Sequence, residues 1–263
     1  MMELNDLYLD LLKRALNNYL YLGDNRDFDQ YEIASFYSEE GQQWNIPEAV
    51  RPHSLLNTQK LNALQSLMYD VVVNDIPGDF IEAGVYKGGT VIFMLGFLKA
   101  FGIDDRMVWA ADSFQGIPQS KRYAYIRDPV DSWTDRWETG LEEVQANIFR
   151  YGLANSNLRY LEGYFADTLP GAPLGQIAIA RLDGDAYEST RDALEHLYPR
   201  LTQGGYVIID DWHLESCKKA CLDFRNEHQI DDPIAQVLGG KGDSGNLVLE
   251  AFWRVDSNPF ASY

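Results

Sequence analysis

Cysteine is scarce in this 263-residue chain: Cys217 and Cys221 are the two it has. That count excludes a disulfide-stapled scaffold and makes a reducing compartment, the cytoplasm, the expected setting. Their spacing puts both thiols on one face of a helix. A zinc site there needs two further ligands, and only His213 and His228 stand near in sequence, so the pair is read as core thiols. Positive charge is scarce too. Against 40 Asp and Glu there are 22 Lys and Arg, a formal net charge of −18. A sequence-independent nucleic-acid binder needs clustered basic side chains, and an anionic membrane repels such a chain, so neither partner is expected. Long apolar runs are missing: no stretch of about 18 residues would span a bilayer. The opening residues carry Glu3, Asp6 and Asp10 and no basic segment, which is not the pattern of a secretory leader.

What the chain does have is 46% hydrophobic and 13% aromatic residues, enough for a sizeable core. No internal repeat or low-complexity tract is visible. Leu4, Leu7, Leu11 and Leu12, with Tyr8 and Ala15, recur at helical spacing. A polar, aromatic-rich stretch runs from Gly23 to His53. A second helix is expected from about Thr58 to Asn74, on a stripe of Leu61, Leu64, Leu67, Met68, Val71 and Val72 that Pro77-Gly78 stops. We divide the chain at about residue 75. The first part is expected to be helical and 76–263 to form an α/β part, the two making one compact unit.

After Pro77 the pattern changes. Short apolar runs end at acids: Asp79–Glu82, Met107–Ala111 before Asp112, Leu158–Leu161 before Glu162-Gly163, Ile177–Leu182 before Asp183, and Tyr206–Ile209 before Asp210-Asp211. Helices are expected between them over Val91–Phe101 and Tyr187–Arg200, and then over Leu214–His228, with a last strand at Asn246–Val255. Strands alternating with helices indicate an α/β domain with a mostly parallel sheet, whose ligands sit at the strand carboxyl ends. Glu82, Asp112, Asp183, Asp210 and Asp211 all fall there.

Glu82-Ala83-Gly84-Val85-Tyr86-Lys87-Gly88-Gly89-Thr90 joins a strand to a helix. Its glycines let the backbone turn tightly and approach a ligand. The spacing is neither the dinucleotide fingerprint nor a Walker A loop. A carboxylate just before the loop repels phosphate and suits an ammonium. Asp112 stands where nucleotide-binding folds place an acid that accepts ribose hydroxyls. An ammonium acceptor, a close-approach loop and a ribose acceptor together describe S-adenosylmethionine better than NAD or ATP. The alternative is an ordinary turn followed by a chance acid.

Asp183-Gly184-Asp185 leaves one strand and Asp210-Asp211 its neighbour. Residues two apart on an extended chain face one way, so Asp183 and Asp185 can share a site. Several carboxylates so close repel unless a cation sits among them. Oxygen-only ligands indicate a hard ion, Mg²⁺ or in the same class Mn²⁺ or Ca²⁺, and not zinc. The alternative is that Asp185 and Asp211 merely cap the following helices. A metal beside a methyl donor fits O-methylation: the ion lowers a hydroxyl's pKa and orients it, and a carboxylate that is not a ligand takes the proton.

Four segments, Glu82-Ala83-Gly84-Val85, Asp112-Ser113-Phe114-Gln115-Gly116-Ile117-Pro118, Leu182-Asp183-Gly184-Asp185-Ala186-Tyr187-Glu188-Ser189-Thr190 and Ile209-Asp210-Asp211, resemble the macrocin O-methyltransferase family. These are metal- and S-adenosylmethionine-dependent enzymes that methylate sugar hydroxyls on antibiotics, and the resemblance runs from about Asp24 to the C-terminus. It implies a Rossmann-like class I methyltransferase sheet with an antiparallel last strand. It also implies that Asp183, Asp210 and Asp211 ligate Mg²⁺, that Asp185 is the general base, and that Glu82, Gly84, Asp112 and Ser113, with neighbours Ala83, Val85, Tyr86, Thr90 and Asp183, line the cofactor site. Gly163, Phe165 and Ala166 would lie near the adenine. A homo-oligomer, a dimer or tetramer, is implied as well.

The stretch at about 118–142, with Lys121, Tyr123, Tyr125, Trp133 and Trp137, reads as a lid whose aromatic residues stack on a sugar; a surface insertion with its own small core is the alternative. Tyr31, Glu32, Tyr37 and Trp44 leave the same two readings open. His213 follows the acid pair and either assists proton transfer or plays a structural part. The acceptor expected is a small hydroxylated, glycosylated molecule. Two other readings stand beside it: a catechol-type O-methyltransferase, and a non-catalytic cofactor-binding scaffold, which would have no use for a repulsive acid cluster.

Overall fold

The computed structural model describes residues 3–20, 37–38, 43–44, 51–133, 137–242 and 245–260. Tyr31 and Glu32, and the side chains of Tyr37 and Trp44, lie outside the described residues. The backbones of β1 (Tyr37–Ser38) and β2 (Gln43–Trp44) pair as a short antiparallel ladder. Helix α1 (Leu4–Leu16) forms where leucines recur, but it turns Leu9, Leu12 and Leu16 inward and leaves Leu4, Leu7 and Leu11 exposed. The stripe read from the sequence mixed two faces; the spacing that starts at Leu9 is the one that buries. Helix α2 (Thr58–Val73) begins at Asn57, whose side chain accepts the Lys60 N–H at 3.0 Å.

The expected strands follow as β3 (Asp79–Ala83), β4 (Val108–Asp112), β5 (Leu158–Glu162), β6 (Ile177–Leu182) and β7 (Leu201–Ile209). Between them lie α3 (Gly89–Ala100), α4 (Leu141–Arg150), α5 (Phe165–Thr168) and α6 (Tyr187–Leu197), and after them α7 (Glu215–Glu227), β8 (Ala235–Gly242) and β9 (Gly245–Arg254). The sheet has seven strands in the order β5-β4-β3-β6-β7-β9-β8. Strands β3 to β7 are parallel, and β9 runs antiparallel to both β7 and β8. The short elements β1, β2 and α5, and with them β8 and α4, were not legible. Strand β8, with Gly239 and Gly240 at its centre, has little strand propensity and forms by pairing with β9. Helix α4 begins where the lid reading ended.

Side chains alternate across the sheet and build two cores. Phe80, Ile179 and Ile208 face one side, with Leu9, Leu61, Met68 and Phe93 from α1, α2 and α3. Ile81, Ala180 and Ile209 face the other, with Leu194 and Phe224 from α6 and α7. Cys217 and Cys221 are free thiols buried on that second side. Chain order reverses at β3, which has β4 on one side and β6 on the other, and this opens a crevice at the carboxyl ends.

Candidate active site

A cavity of about 310 Å³ opens at that crevice, lined from β3, β4, β6, β7 and the lid. Of the residues expected in the site, Glu82, Gly84, Val85, Tyr86, Thr90, Asp112, Ser113 and Phe165 reach its wall. So do Asp183, Asp185, Asp210, Asp211 and His213. Ala83, Gly163 and Ala166 do not. Ala83 is buried in the second core, and Gly163 makes the turn after β5 with its N–H donated to the Asp112 carbonyl at 2.9 Å. Ala166 lies in the short helix α5.

The loop after β3 can exist only with glycine at position 84. Gly84 has φ +103, and a Cβ there would collide with the Asp183 carbonyl of the adjacent strand end. The turn is fixed further by Asp112, whose Oδ2 accepts the Val85 N–H at 2.6 Å and whose Oδ1 accepts the Phe114 N–H at 2.7 Å. Asp112 thus binds two loops together before it meets any ligand. A carboxylate offers about four acceptor positions, so capacity for ribose hydroxyls is left.

Glu82 shows the fit to the cofactor most directly. It is buried at the cavity wall; Oε1 accepts from Arg181, and Oε2 has no hydrogen-bond partner among the described residues. A buried carboxylate oxygen without a donor is costly, and an ammonium is its natural complement. Burial outweighs the pull of Arg181 and holds the Glu82 carboxyl well above the usual glutamate range.

The acid cluster divides. Ligand-capable oxygens of Asp183, Asp185 and Asp211 all lie within 4.8 Å of one another. The Asp185 N–H is donated to Asp211 Oδ2 at 3.1 Å. Asp185 itself has φ 55, a left-handed conformation rare outside glycine. Burial, then the charges of Asp183 and Asp210, push the Asp185 carboxyl up to about 8. Burial and neighbouring acids likewise raise Asp183 and Asp211. Three oxygen donors whose proton affinity is raised by burial and by neighbouring acids suit a hard divalent cation. Asp210 differs. Its Oδ1 accepts from Arg181 and, at 2.8 Å, from Lys60 Nζ. Burial alone would raise its carboxyl, but those two cations outweigh it and bring it below the usual aspartate value.

Sequence reasoning missed Arg181, Lys60 and the segment 53–56. Arg181 is 0% exposed, in the middle of a parallel sheet. The register sets it beside Glu82 on β3 and Ile208 on β7, and its guanidinium reaches Glu82, Asp183 at 2.9 Å, Asp210, and Glu250 at 3.8 Å. One cation therefore ties Glu82 to the acid cluster. The available signal was an arginine in an otherwise apolar strand, Ile-Ala-Ile-Ala-Arg-Leu. His53, Ser54, Leu55 and Leu56 close the cavity over the glycine loop, and His53 Nδ1 lies 2.8 Å from the Tyr151 hydroxyl. No periodicity marks that segment.

The lid is described on both sides of residues 134–136. Trp133 and Trp137 line the cavity, and Tyr86 meets Trp137 edge to face with ring centroids 5.9 Å apart. It also has a small core of its own, Ile117, Val130 and Ala186. The insertion therefore packs on a small apolar core and also presents two tryptophans to the cavity.

The profile of the macrocin-O-methyltransferase (TylF) family matches residues 5–240. A tetracenomycin-pathway enzyme of Streptomyces olivaceus, 8-demethyl-8-(2,3-dimethoxy-alpha-L-rhamnosyl)-tetracenomycin-C 4'-O-methyltransferase, is 42% identical, with 96% of this chain and 94% of that protein aligned. Mycinamicin III 3''-O-methyltransferase of Micromonospora griseorubida is 38% identical over 88% of this chain and 93% of its own. Among solved structures the O-methyltransferase NovP superposes with a TM-score of 0.79 at 35% identity, covering 95% of this chain and 98% of that one. A calicheamicin methyltransferase, CalS11, shares the fold at a TM-score of 0.63 and 19% identity, over 98% and 95% of the two chains. The resemblance carried by the Asp112 and Asp183 segments is borne out: the chain is an S-adenosylmethionine-dependent O-methyltransferase and belongs to the macrocin-O-methyltransferase family.

Proposed function

We propose that this enzyme methylates a hydroxyl on the sugar of a glycosylated small molecule, a secondary metabolite of the antibiotic type, with a divalent ion, Mg²⁺ or Mn²⁺, in the acid cluster. The observation that carries the reading is the convergence of Asp183, Asp185 and Asp211 at the floor of the cavity that Glu82 also lines. The names of the relatives, which act on a rhamnosyl tetracenomycin and on mycinamicin III, support the acceptor class.

In this reading Glu82 Oε2 takes the ammonium of S-adenosylmethionine, the turn at Gly84 admits its chain, and Asp112 accepts from the ribose. Phe165, at the cavity wall, lies toward the adenine. Asp183, Asp210 and Asp211 would hold the ion; Asp210 stands outside the close trio of Asp183, Asp185 and Asp211, and Lys60 and Arg181 keep it ionised. The chemistry the ion supplies when bound is Lewis-acid activation of the acceptor hydroxyl. Asp185, beside the ligands and tethered to Asp211 through its own N–H, receives the hydroxyl proton. S-adenosylmethionine, when bound, would supply the methyl group, its carbon–sulfur bond breaking as the new oxygen–carbon bond forms and S-adenosylhomocysteine leaving. Trp133 and Trp137 cover the sugar and exclude water. His213 lies at the wall as a secondary proton relay.

The role assignment is tested by substitution. Asp185→Asn abolishes turnover while Mn²⁺ binding, read by paramagnetic resonance, is kept. Asp183→Asn weakens Mn²⁺ binding at least tenfold. The reverse pattern rejects the assignment. The proposal includes a cytoplasmic homo-oligomer, dimer or tetramer, supported by the exposed Leu4, Leu7 and Leu11 on α1, and light scattering at micromolar concentration tests it. No helix among the described residues is long and apolar enough to cross a membrane.

A further inference from the structure

We propose that Asp128, a lid residue outside the cavity wall, is a positioning residue that fastens the lid to the first turn of α6 and so sets the turn carrying Asp185. The proposal rests on the reading of Asp185 as proton acceptor, but its structural half does not.

Asp128 is 4% exposed. Its Oδ2 accepts the Tyr187 N–H at 2.7 Å and its Oδ1 the Val130 N–H at 3.0 Å. Helix α6 needs such help. The first N–H groups of a helix have no partner within it, and the residue before α6 is Ala186, which has no side chain to cap with. Asp128 fills that place from 59 residues earlier in the chain.

Tyr187 stands two residues after Asp185. A left-handed aspartate persists only where its flanks are held. Upstream, the Asp183 N–H is donated to the Ala83 carbonyl at 2.8 Å. Downstream, the Tyr187 N–H goes to Asp128. Lid and α6 are also clasped the other way. Glu188 Oε2, in the first turn of α6, accepts the N–H groups of Lys121, Arg122 and Tyr123 at 2.8, 2.9 and 3.2 Å. Arg122 pairs with Asp192 one turn on. Between these clasps Ile117 and Val130 pack on Ala186, with Trp133 and Trp137 alongside. The residue that adjoins the proposed base is therefore part of the lid's core. Seating the aromatic wall on the acceptor and setting the angle of Asp185 are one event.

The test uses the full enzyme, with S-adenosylmethionine, Mg²⁺ and a glycosylated acceptor for turnover, and with S-adenosylhomocysteine and Mg²⁺ for binding and amide exchange. Asp128→Ala is expected to lower kcat by about 10²-fold, the loss that a misplacement near 1 Å brings. The dissociation constant for S-adenosylhomocysteine stays within about twofold, because the Asp128 carboxylate bonds Tyr187 and Val130 and neither Glu82 nor Asp112. Amide exchange quickens at 118–133 and at 184–190 together. Asp128→Asn, which keeps one acceptor oxygen, recovers part of kcat. Full kcat in Asp128→Ala, or loss of cofactor affinity in step with kcat, overturns the proposal. So does faster exchange in the lid with none at 184–190. Should Asp128→Ala not fold, Asp128→Asn and Glu188→Gln carry the same comparison. If Asp185→Asn proves active, the base assignment fails, whereas coupled exchange in the Asp128 variants still reports the latch.

Discussion

Replacing Arg181 by methionine removes the one guanidinium that meets Glu82, Asp183, Asp210 and Glu250. Methionine fills a similar volume, so the cost is electrostatic. Four acids that shared a cation keep only Lys60, which touches Asp210 alone at 2.8 Å. Removing one partner of a buried ion pair costs about 3–5 kcal/mol. Total stability of a domain is on the order of 5–15 kcal/mol. At about 2–4 °C per kcal/mol for a chain of this size, melting should fall by roughly 6–20 °C. The sign of the pH dependence follows from Glu82, which burial already holds well above its ordinary value and which rises further without Arg181. A carboxyl raised in the folded state binds more protons there than in the unfolded chain. Its stability contribution is complete below the ordinary glutamate pKa and is lost as pH rises through the folded value. The deficit in Arg181→Met is therefore smaller at pH 5 than at pH 8. Urea unfolding at both pH values, in chelator so that no added cation offsets the loss, measures it. Adding Glu250→Gln, which removes one stranded anion, should restore part of the deficit. A loss below about 1 kcal/mol at pH 8, or an equal loss at both pH values, refutes the reasoning.

Three other substitutions probe separate walls. Gly84→Ala forces a side chain into the Asp183 carbonyl at positive φ, and should cost at least about 2 kcal/mol and ten times or more in S-adenosylhomocysteine affinity by calorimetry. His53 is held below its ordinary 6.5 by burial, then by the charges of Lys87 and Arg150. The unfolded chain then takes up its proton first, so stability is complete above that value and declines as pH falls through it. The urea midpoint of His53→Gln should vary less between pH 7 and 5 than that of the parent, and equal slopes contradict this. Trp137→Ala, by stripping the partner of Tyr86 from the lid, should raise the acceptor KM several-fold with little change in the KM for S-adenosylmethionine.

The sheet was legible because five short apolar runs each ended in an acid, and a parallel α/β sheet buries such strands on both faces. The same rule brought Glu82, Asp112 and the Asp183 and Asp210 pairs to one crevice. What sequence spacing could not give is pairing across strands. Nothing local says that Arg181 lies beside Glu82, since that follows from the register of β3 and β6. Nor does spacing show that Asp210 faces Lys60 on α2 while Asp211 turns to Asp185. Adjacent strand residues diverge, and only the bend after β7 decides where each goes. Strand β8 escaped because its pairing with β9, and not its own residues, makes it a strand. Asp128 escaped because a helix cap from another segment leaves no mark in the helix it caps.

The central claim is ion-assisted methylation of a sugar hydroxyl. Its most direct test is transfer of a labelled methyl group from S-adenosylmethionine to a glycosylated acceptor, its aglycone and a catechol, in chelator and after Mg²⁺ is restored. The account predicts label on the sugar of the glycosylated acceptor alone, lost in chelator and recovered with the ion. Undiminished transfer after exhaustive chelation, or label on the aglycone or the catechol in preference to the sugar, would contradict it.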